Sequence, residues 1–240
     1  MTSVIPEEIA HFAAHAKEWH EKKGMFASLH ALTTPRMAYI QEQCSAAFGT
    51  EKTMADLEIL DLGCGGGLMS EALAMKGCRV KGIDACAESI EAAAQHAKTQ
   101  GLSIDYSVET AESLAARKET AFDLILALDV IEHVGNVSSF LESATKLLKK
   151  EGILILSTLN RTKKSFLFSI VGAEYIMGQI PLGTHDYEKF ISPHELTALC
   201  KAAGLEPMDI RGLVYRPFRQ IFELETGKNA INYFLTARKA

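Results

Sequence analysis

Leu60-Asp61-Leu62-Gly63-Cys64-Gly65-Gly66-Gly67 is the stretch that decides how this chain folds. It follows an apolar run, Leu57 to Leu60, and reads Asp-x-Gly-x-Gly-x-Gly. Glycines at alternate positions let a backbone turn tightly off a strand and come close to a bound ligand. A dinucleotide site needs G-x-G-x-x-G, with a pyrophosphate on the following helix N-terminus. Gly63 and Gly65 satisfy the first two places, but Leu68 stands three after Gly65, so that fingerprint fails. The acid in front, Asp61, suits a ligand that brings positive charge.

Outward from this loop the chain alternates between strand and helix signals, which implies a mostly parallel sheet with helices on both faces. Short apolar or β-branched runs predict strands at Leu57–Leu62, Arg79–Asp84, Ser103–Val108, Phe122–Leu128 and Ile153–Thr158. Strands buried on both faces read this way. Glu206–Arg211 and Ile231–Arg238 would close the sheet at seven strands. Helices are expected at Leu68–Lys76, Ala87–Gln100, Ala111–Ala116, Ser138–Lys149 and Pro193–Ala203. Gly77, Gly101 and Gly204 stand where helices should stop, and Ser192 is a natural N-cap. Residues 1–50 read as a semi-autonomous helical cap over the site. Residues 51–240 form the main domain, with an insertion at about 161–190 that fits no strand–helix alternation.

The chain has 240 residues, 48% of them hydrophobic and 23% charged, enough for one domain with a sizeable core. A net charge of −5 argues against a general nucleic-acid footprint. No apolar run is long enough to span a bilayer, and no secretory leader pattern opens the chain. The five cysteines form no C-x-x-C pair, which fits buried thiols in a reducing cytoplasm.

Two further strand ends carry chemistry. Asp84 closes Gly82-Ile83-Asp84, where α/β nucleotide folds place the acid that receives ribose hydroxyls. Leu128 ends the fourth strand and would lie against an adenine. Asp61, Gly63, Gly65, Asp84 and Leu128 together suit S-adenosylmethionine, whose ammonium and sulfonium supply the expected positive charge. Asp129, Glu132 and His133 follow directly. On a helical turn they could converge and hold a divalent cation, serve as an acid–base group, or act as caps and structural partners.

Asp61-Leu62-Gly63-Cys64-Gly65-Gly66-Gly67, Gly82-Ile83-Asp84, Phe122-Asp123 and Ile131-Glu132-His133-Val134 resemble a Rossmann-like class I S-adenosylmethionine-dependent methyltransferase. Trp19, Gly24, Phe26, Leu29-His30 and Pro35-Arg36 have the spacing of the ubiquinone biosynthesis O-methyltransferases. Ser157 to Thr162, Val171-Gly172-Ala173-Glu174-Tyr175-Ile176 and Gly183-Thr184-His185-Asp186-Tyr187 resemble the same family, over roughly residues 10 to 240. The chain departs from it at His20 and Thr34, and at Asp129, where Glu is common. The resemblance implies that Arg36, Gly63, Asp84 and Leu128 contact the donor, and that Asp129, Glu132 and His133 are candidate magnesium ligands. It implies a polyprenyl phenol or quinol as acceptor, with His133 and Glu132, or His185, in the catalytic role. It also implies a cytoplasmic enzyme held on the inner face of the membrane, beside other enzymes of the pathway. The insertion would touch lipid through Phe166, Leu167, Phe168, Ile170, Val171 and their apolar neighbours.

Overall fold

Seven consecutive buried residues, Phe122 to Leu128, form the strand around which the sheet is built. In the computed structural model, the residues described are 3–49, 52–117, 122–162, 165, 187–216, 219, 221–226 and 230–240. The strands are β1 (Glu58–Leu62), β2 (Arg79–Asp84), β3 (Asp105–Val108), β4 (Phe122–Leu128), β5 (Leu148–Leu159), β6 (Leu205–Arg216), β7 (Ile221–Glu225) and β8 (Asn232–Lys239). They form one sheet in the order β3-β2-β1-β4-β5-β8-β6-β7. The pairings among β1 to β5 are parallel, and β8, β6 and β7 add antiparallel pairings. The chain runs outward from β1 to β3, then crosses back to β4. The crevice between the carboxyl ends of β1 and β4 is therefore the topological switch point, where such sheets bind ligands.

The helices are α1 (Pro6–Ala14), α2 (Ala27–Phe48), α3 (Leu68–Ala74), α4 (Ala87–Thr99), α5 (Ala111–Ala116), α6 (Val137–Leu147) and α7 (Pro193–Ala202). The two sheet faces carry separate apolar clusters. One joins Leu114, Leu141, Ala144 and Leu196 to Ile125 and Leu154, and the other joins Leu32, Ile40, Met69 and Leu73 to Leu124 and Ile155. Burying each large side chain contributes roughly 1.5–3 kcal/mol. The helix stops stand as expected: Gly77, Gly101 and Gly204 all take left-handed φ. Ser192 caps α7 in a capping box with Glu195.

Three features differ from the sequence expectation. The sheet has eight strands, not seven. The extra strand, β7, is a half-exposed edge whose Glu223 pairs across to Arg216 at 3.0 Å. Charges on an edge strand erase the apolar run that reveals buried strands. Second, the N-terminal region is not semi-autonomous, because α2 belongs to the main core. Tyr39 stacks on Phe234 of β8 at 4.5 Å and shares a hydrogen bond with Thr236 at 2.9 Å. Third, the helical cap expected over 1–50 is broken into α1 and the long α2, which runs to Phe48 with Pro35 inside it because its buried face holds it together where the proline removes a backbone donor. The expected insertion, about 161–190, lies largely outside the described residues, as do Phe166, Leu167, Phe168, Ile170, Val171 and His185.

Candidate active site

Backbone geometry builds one side of the site. Gly63 and Cys64 donate their N–H groups to the Ile83 carbonyl at 2.8 and 3.0 Å, so the loop after β1 is tied to the end of β2. Gly65 takes φ +53° and donates to the Asp84 carboxylate at 2.9 Å. A Cβ on Gly63 would come within 2.5 Å of Val130, and one on Gly65 within 2.5 Å of Trp19. Beneath the loop, the buried Asp61 accepts a 2.6 Å hydrogen bond from Ser70. Burial pushes its carboxyl up to about 6, against the pull of Ser70 and the nearby Arg36. Asp84 is also raised by burial, partly offset by the N–H groups of Cys86 and Gly65. Cys64 is buried and its thiol is pushed up by burial, as suits an apolar filler and not a nucleophile.

Side chains build the other side. Asp129, directly after β4, is a non-glycine residue in the left-handed region at φ 56°. Such conformations persist where the surroundings enforce them. Here Asp129 accepts the Ser157 hydroxyl at 2.7 Å and pairs with the Arg36 guanidinium from α2. Burial would raise its carboxyl, but Arg36 and Ser157 outweigh that and hold it below the usual range. The next residues form a 3-10 turn, Ile131–His133. Glu132 is buried and accepts the Thr158 hydroxyl at 2.9 Å. Burial raises its carboxyl, and the negative Asp129 adds to the rise. His133 Nδ1 lies 3.0 Å from Glu8 of α1, and the Phe12 ring stands edge-on to the imidazole at 5.2 Å. Lys189 holds the other Glu8 oxygen at 2.6 Å. Burial would lower the imidazole, but Glu8 and Glu132 outweigh it and raise His133 above its ordinary value.

A cavity of about 1700 Å³ opens between the two sides. Arg36, Asp61, Gly63, Gly65, Asp84, Leu128, Asp129, Glu132 and His133 all line it. The sequence therefore names residues that the fold gathers around one space. Among known proteins, the family model for a methyltransferase domain matches residues 60–156. The ubiquinone biosynthesis O-methyltransferase of Parvibaculum lavamentivorans is 43% identical over 243 residues, which cover 100% of this chain and 95% of that one. That of Ruegeria pomeroyi is 44% identical over 235 residues, covering 96% and 94%. This chain belongs to the ubiquinone biosynthesis O-methyltransferases. Solved structures of lower identity share the fold. Magnesium protoporphyrin IX methyltransferase from Synechocystis PCC 6803, with bound SAH, matches at TM-score 0.63 and 17% identity, covering 96% and 94% of the two chains. A S-adenosylmethionine-dependent methyltransferase from Thermotoga maritima matches at 0.63 and 22%, covering 97% and 100%. Membership makes the chain an S-adenosylmethionine-dependent enzyme.

Asp129, Glu132 and His133 line one cavity but do not gather as a metal cage. The ligand atoms that converge within 4.8 Å, among the described residues, belong to His20, Glu71 and His96. Each expected ligand is committed elsewhere: Asp129 to a guanidinium, Glu132 to Thr158 and His133 Nδ1 to Glu8. A guanidinium on the leading carboxylate competes with any cation there. A divalent cation here would use the uncommitted Nε2 of His133 and oxygen of Glu132, and would have to share Asp129 with the Arg36 guanidinium. Sequence reasoning named Trp19 only through its family spacing, and gave no role to Glu8 or Tyr215. Glu8 reaches His133 across 125 positions, and Trp19 covers the glycine loop while donating to Ser89 at 3.1 Å. Tyr215 enters from the β6 edge. A lone tryptophan just before a glycine-loop domain was the one available signal among them.

Proposed function

We propose that the chain transfers the methyl group of S-adenosylmethionine to a phenolic oxygen of a polyprenylated ubiquinone precursor. His133 takes the phenolic proton in this reading. The single observation that carries it is the shared cavity, lined by the glycine loop and Asp84 on one side and by His133 on the other. On the donor side, the loop backbone at Gly63 and Gly65 admits close approach. Asp84 would accept ribose hydroxyls and Leu128 would pack on the adenine. Asp61 would answer the donor's positive charge. Arg36 would bind the donor carboxylate, and its Nε is buried without a hydrogen-bond partner among the described residues, which leaves a donor for that anion. The segment around Trp19, ahead of α2, would act as the cap over this side.

On the acceptor side the chain must make an oxygen nucleophilic. A phenol with a pKa near 10 is only about one part in a thousand ionised at pH 7, a gap of roughly 4 kcal/mol. Glu8 accepts from Nδ1 of His133, which leaves Nε2 as the proton acceptor and raises its basicity. A stronger base narrows the gap to the phenol. Glu132, buried and held by Thr158, adds negative charge that favours the imidazolium formed. The transfer itself is an in-line displacement at the donor methyl. Alignment of the two reactants can supply about 7–11 kcal/mol.

The apolar insertion, including Phe166 and Phe168, supports a lipid-facing role for an acceptor with a prenyl tail. No helix among the described residues is long and apolar enough to cross a membrane. A lipid-surface attachment therefore requires co-sedimentation with liposomes that weakens in Phe166→Asp/Phe168→Asp; unchanged binding would reject it. The function itself is tested with methyl-labelled donor and a short-chain demethylubiquinol. Label in the O-methyl product is expected, and no transfer to any phenol or catechol of this class would overturn the reading.

A further inference from the structure

We propose that His20, Glu71 and His96 form a binding site for a zinc-class divalent cation, apart from the donor–acceptor cavity. One ligand atom from each residue lies within 4.8 Å of the other two, and none of the three lines the large cavity. His96 of α4 places Nδ1 at 2.8 and 2.9 Å from the Glu71 oxygens of α3. The His20 ring stacks on His96 at 3.6 Å and 7°.

Glu71 and His96 would be complete as an ordinary carboxylate–imidazole pair. His20 is what that account leaves over. Its Nε2 is buried and has no hydrogen-bond partner among the described residues. A buried polar atom left unpaired costs on the order of 1–3 kcal/mol, so it calls for a partner. Neutral imidazole is the form that binds metal. Two imidazoles and one carboxylate are the three-ligand set of open zinc sites, with the fourth position left to water. Imidazole nitrogen suits zinc, copper, nickel or iron, whereas magnesium prefers oxygen throughout.

Lone pairs lie in the ring planes, so two parallel rings cannot aim at one ion. Binding requires one ring to tip out of the stack: His96 is held by the Glu71 carboxylate, whereas His20, tied to the Gly66 backbone, keeps an unpaired Nε2. The consequence is mechanical. His20 follows Trp19, which lies on Gly65 and Gly66, while α3 begins directly after that loop. A bound cation would tie the Trp19 segment to α3 and α4 and hold the indole against the glycine loop.

The test uses full-length, untagged protein freed of metal by chelation. Zinc is titrated by calorimetry, with cobalt as a visible probe. One cation per chain and a tetrahedral cobalt spectrum are expected, with a melting temperature that rises on zinc addition. His20→Asn and His96→Ala should each weaken binding by about 100-fold or more, since even outer partners of a metal site cost 10–100-fold. Glu71→Gln, which keeps the hydrogen bond to His96, should lose about tenfold or more by the same reasoning. His133→Ala should bind as wild type. Absence of stoichiometric binding, binding untouched by His20→Asn and His96→Ala, or binding lost in His133→Ala would each overturn the proposal.

Discussion

The two sides of the cavity are built by different means. The frame of the donor side is local: a strand, a glycine loop and a helix within Glu58–Ala74, closed by Asp84 only 19 positions after Gly65, to which α2 adds Arg36 and β4 adds Leu128. The acceptor side is assembled from afar. His133 meets Glu8 across 125 positions, and Glu8 meets Lys189 across 181. Backbone conformation fixes the first side, and long-range ion pairs fix the second. Substitutions on the donor side should therefore act on donor affinity, whereas those on the acceptor side should act on turnover and its pH dependence.

The largest effect is expected at the loop. Gly65→Val places a β-branched side chain at φ +53°, on top of Trp19. Left-handed strain alone costs of order 1–3 kcal/mol. Donor binding, measured by calorimetry with S-adenosylhomocysteine, should fall by about 100-fold or more, and retained affinity would break the account of the loop. Next comes Asp84→Ala. Losing hydrogen bonds to a charged acceptor costs about 1.5–3 kcal/mol, or roughly 10–100-fold in donor affinity. The acceptor KM should hardly move.

Glu8→Gln sharpens the acceptor half, with a smaller effect. It removes the charge that raises His133, so kcat should fall about tenfold, well inside the range for impaired general base catalysis. The rising limb of the kcat–pH profile should shift to lower pH, while donor affinity stays constant. An unshifted profile would disconnect Glu8 from the base. The smallest effect is on stability. Glu8 is held down to about 2, chiefly by His133, so its contribution is present above pH 4.5 and lost as pH falls toward 2. His133 is raised, so its contribution is present below pH 6.5 and lost as pH rises through its folded value. The stabilisation that wild type has over Glu8→Gln, read from paired melting curves, should thus be largest between about pH 4.5 and 6.5. A difference that is flat across pH would contradict the pairing.

The contrast also explains what could be read from sequence. β1 to β5, α3 to α7 and their caps were legible because each is written in a short window of apolar period, glycine stops and polar caps. The donor residues Asp61, Gly63, Gly65, Asp84 and Leu128 were legible for the same reason, since strand ends locate them. β7 was hidden because Glu223 and Glu225 interrupt its short apolar run of Ile221, Phe222 and Leu224. The place of α2 in the main core was hidden because Leu32, Tyr39 and Ile40 meet the sheet only in the folded chain. Glu8 carried no spacing that pointed to His133, 125 positions away, and Trp19 was marked only by its family spacing. The pairing of Asp129 with Arg36 was not legible, because proximity in sequence says nothing of a guanidinium that arrives from another helix.

The central claim is that donor holding and proton removal are separate. Measuring donor affinity and single-turnover methyl transfer on His133→Ala tests it most directly. The claim predicts an affinity within about threefold of wild type and a transfer rate lower by about 100-fold or more. Full transfer in His133→Ala, or donor affinity lost together with the rate, would contradict it.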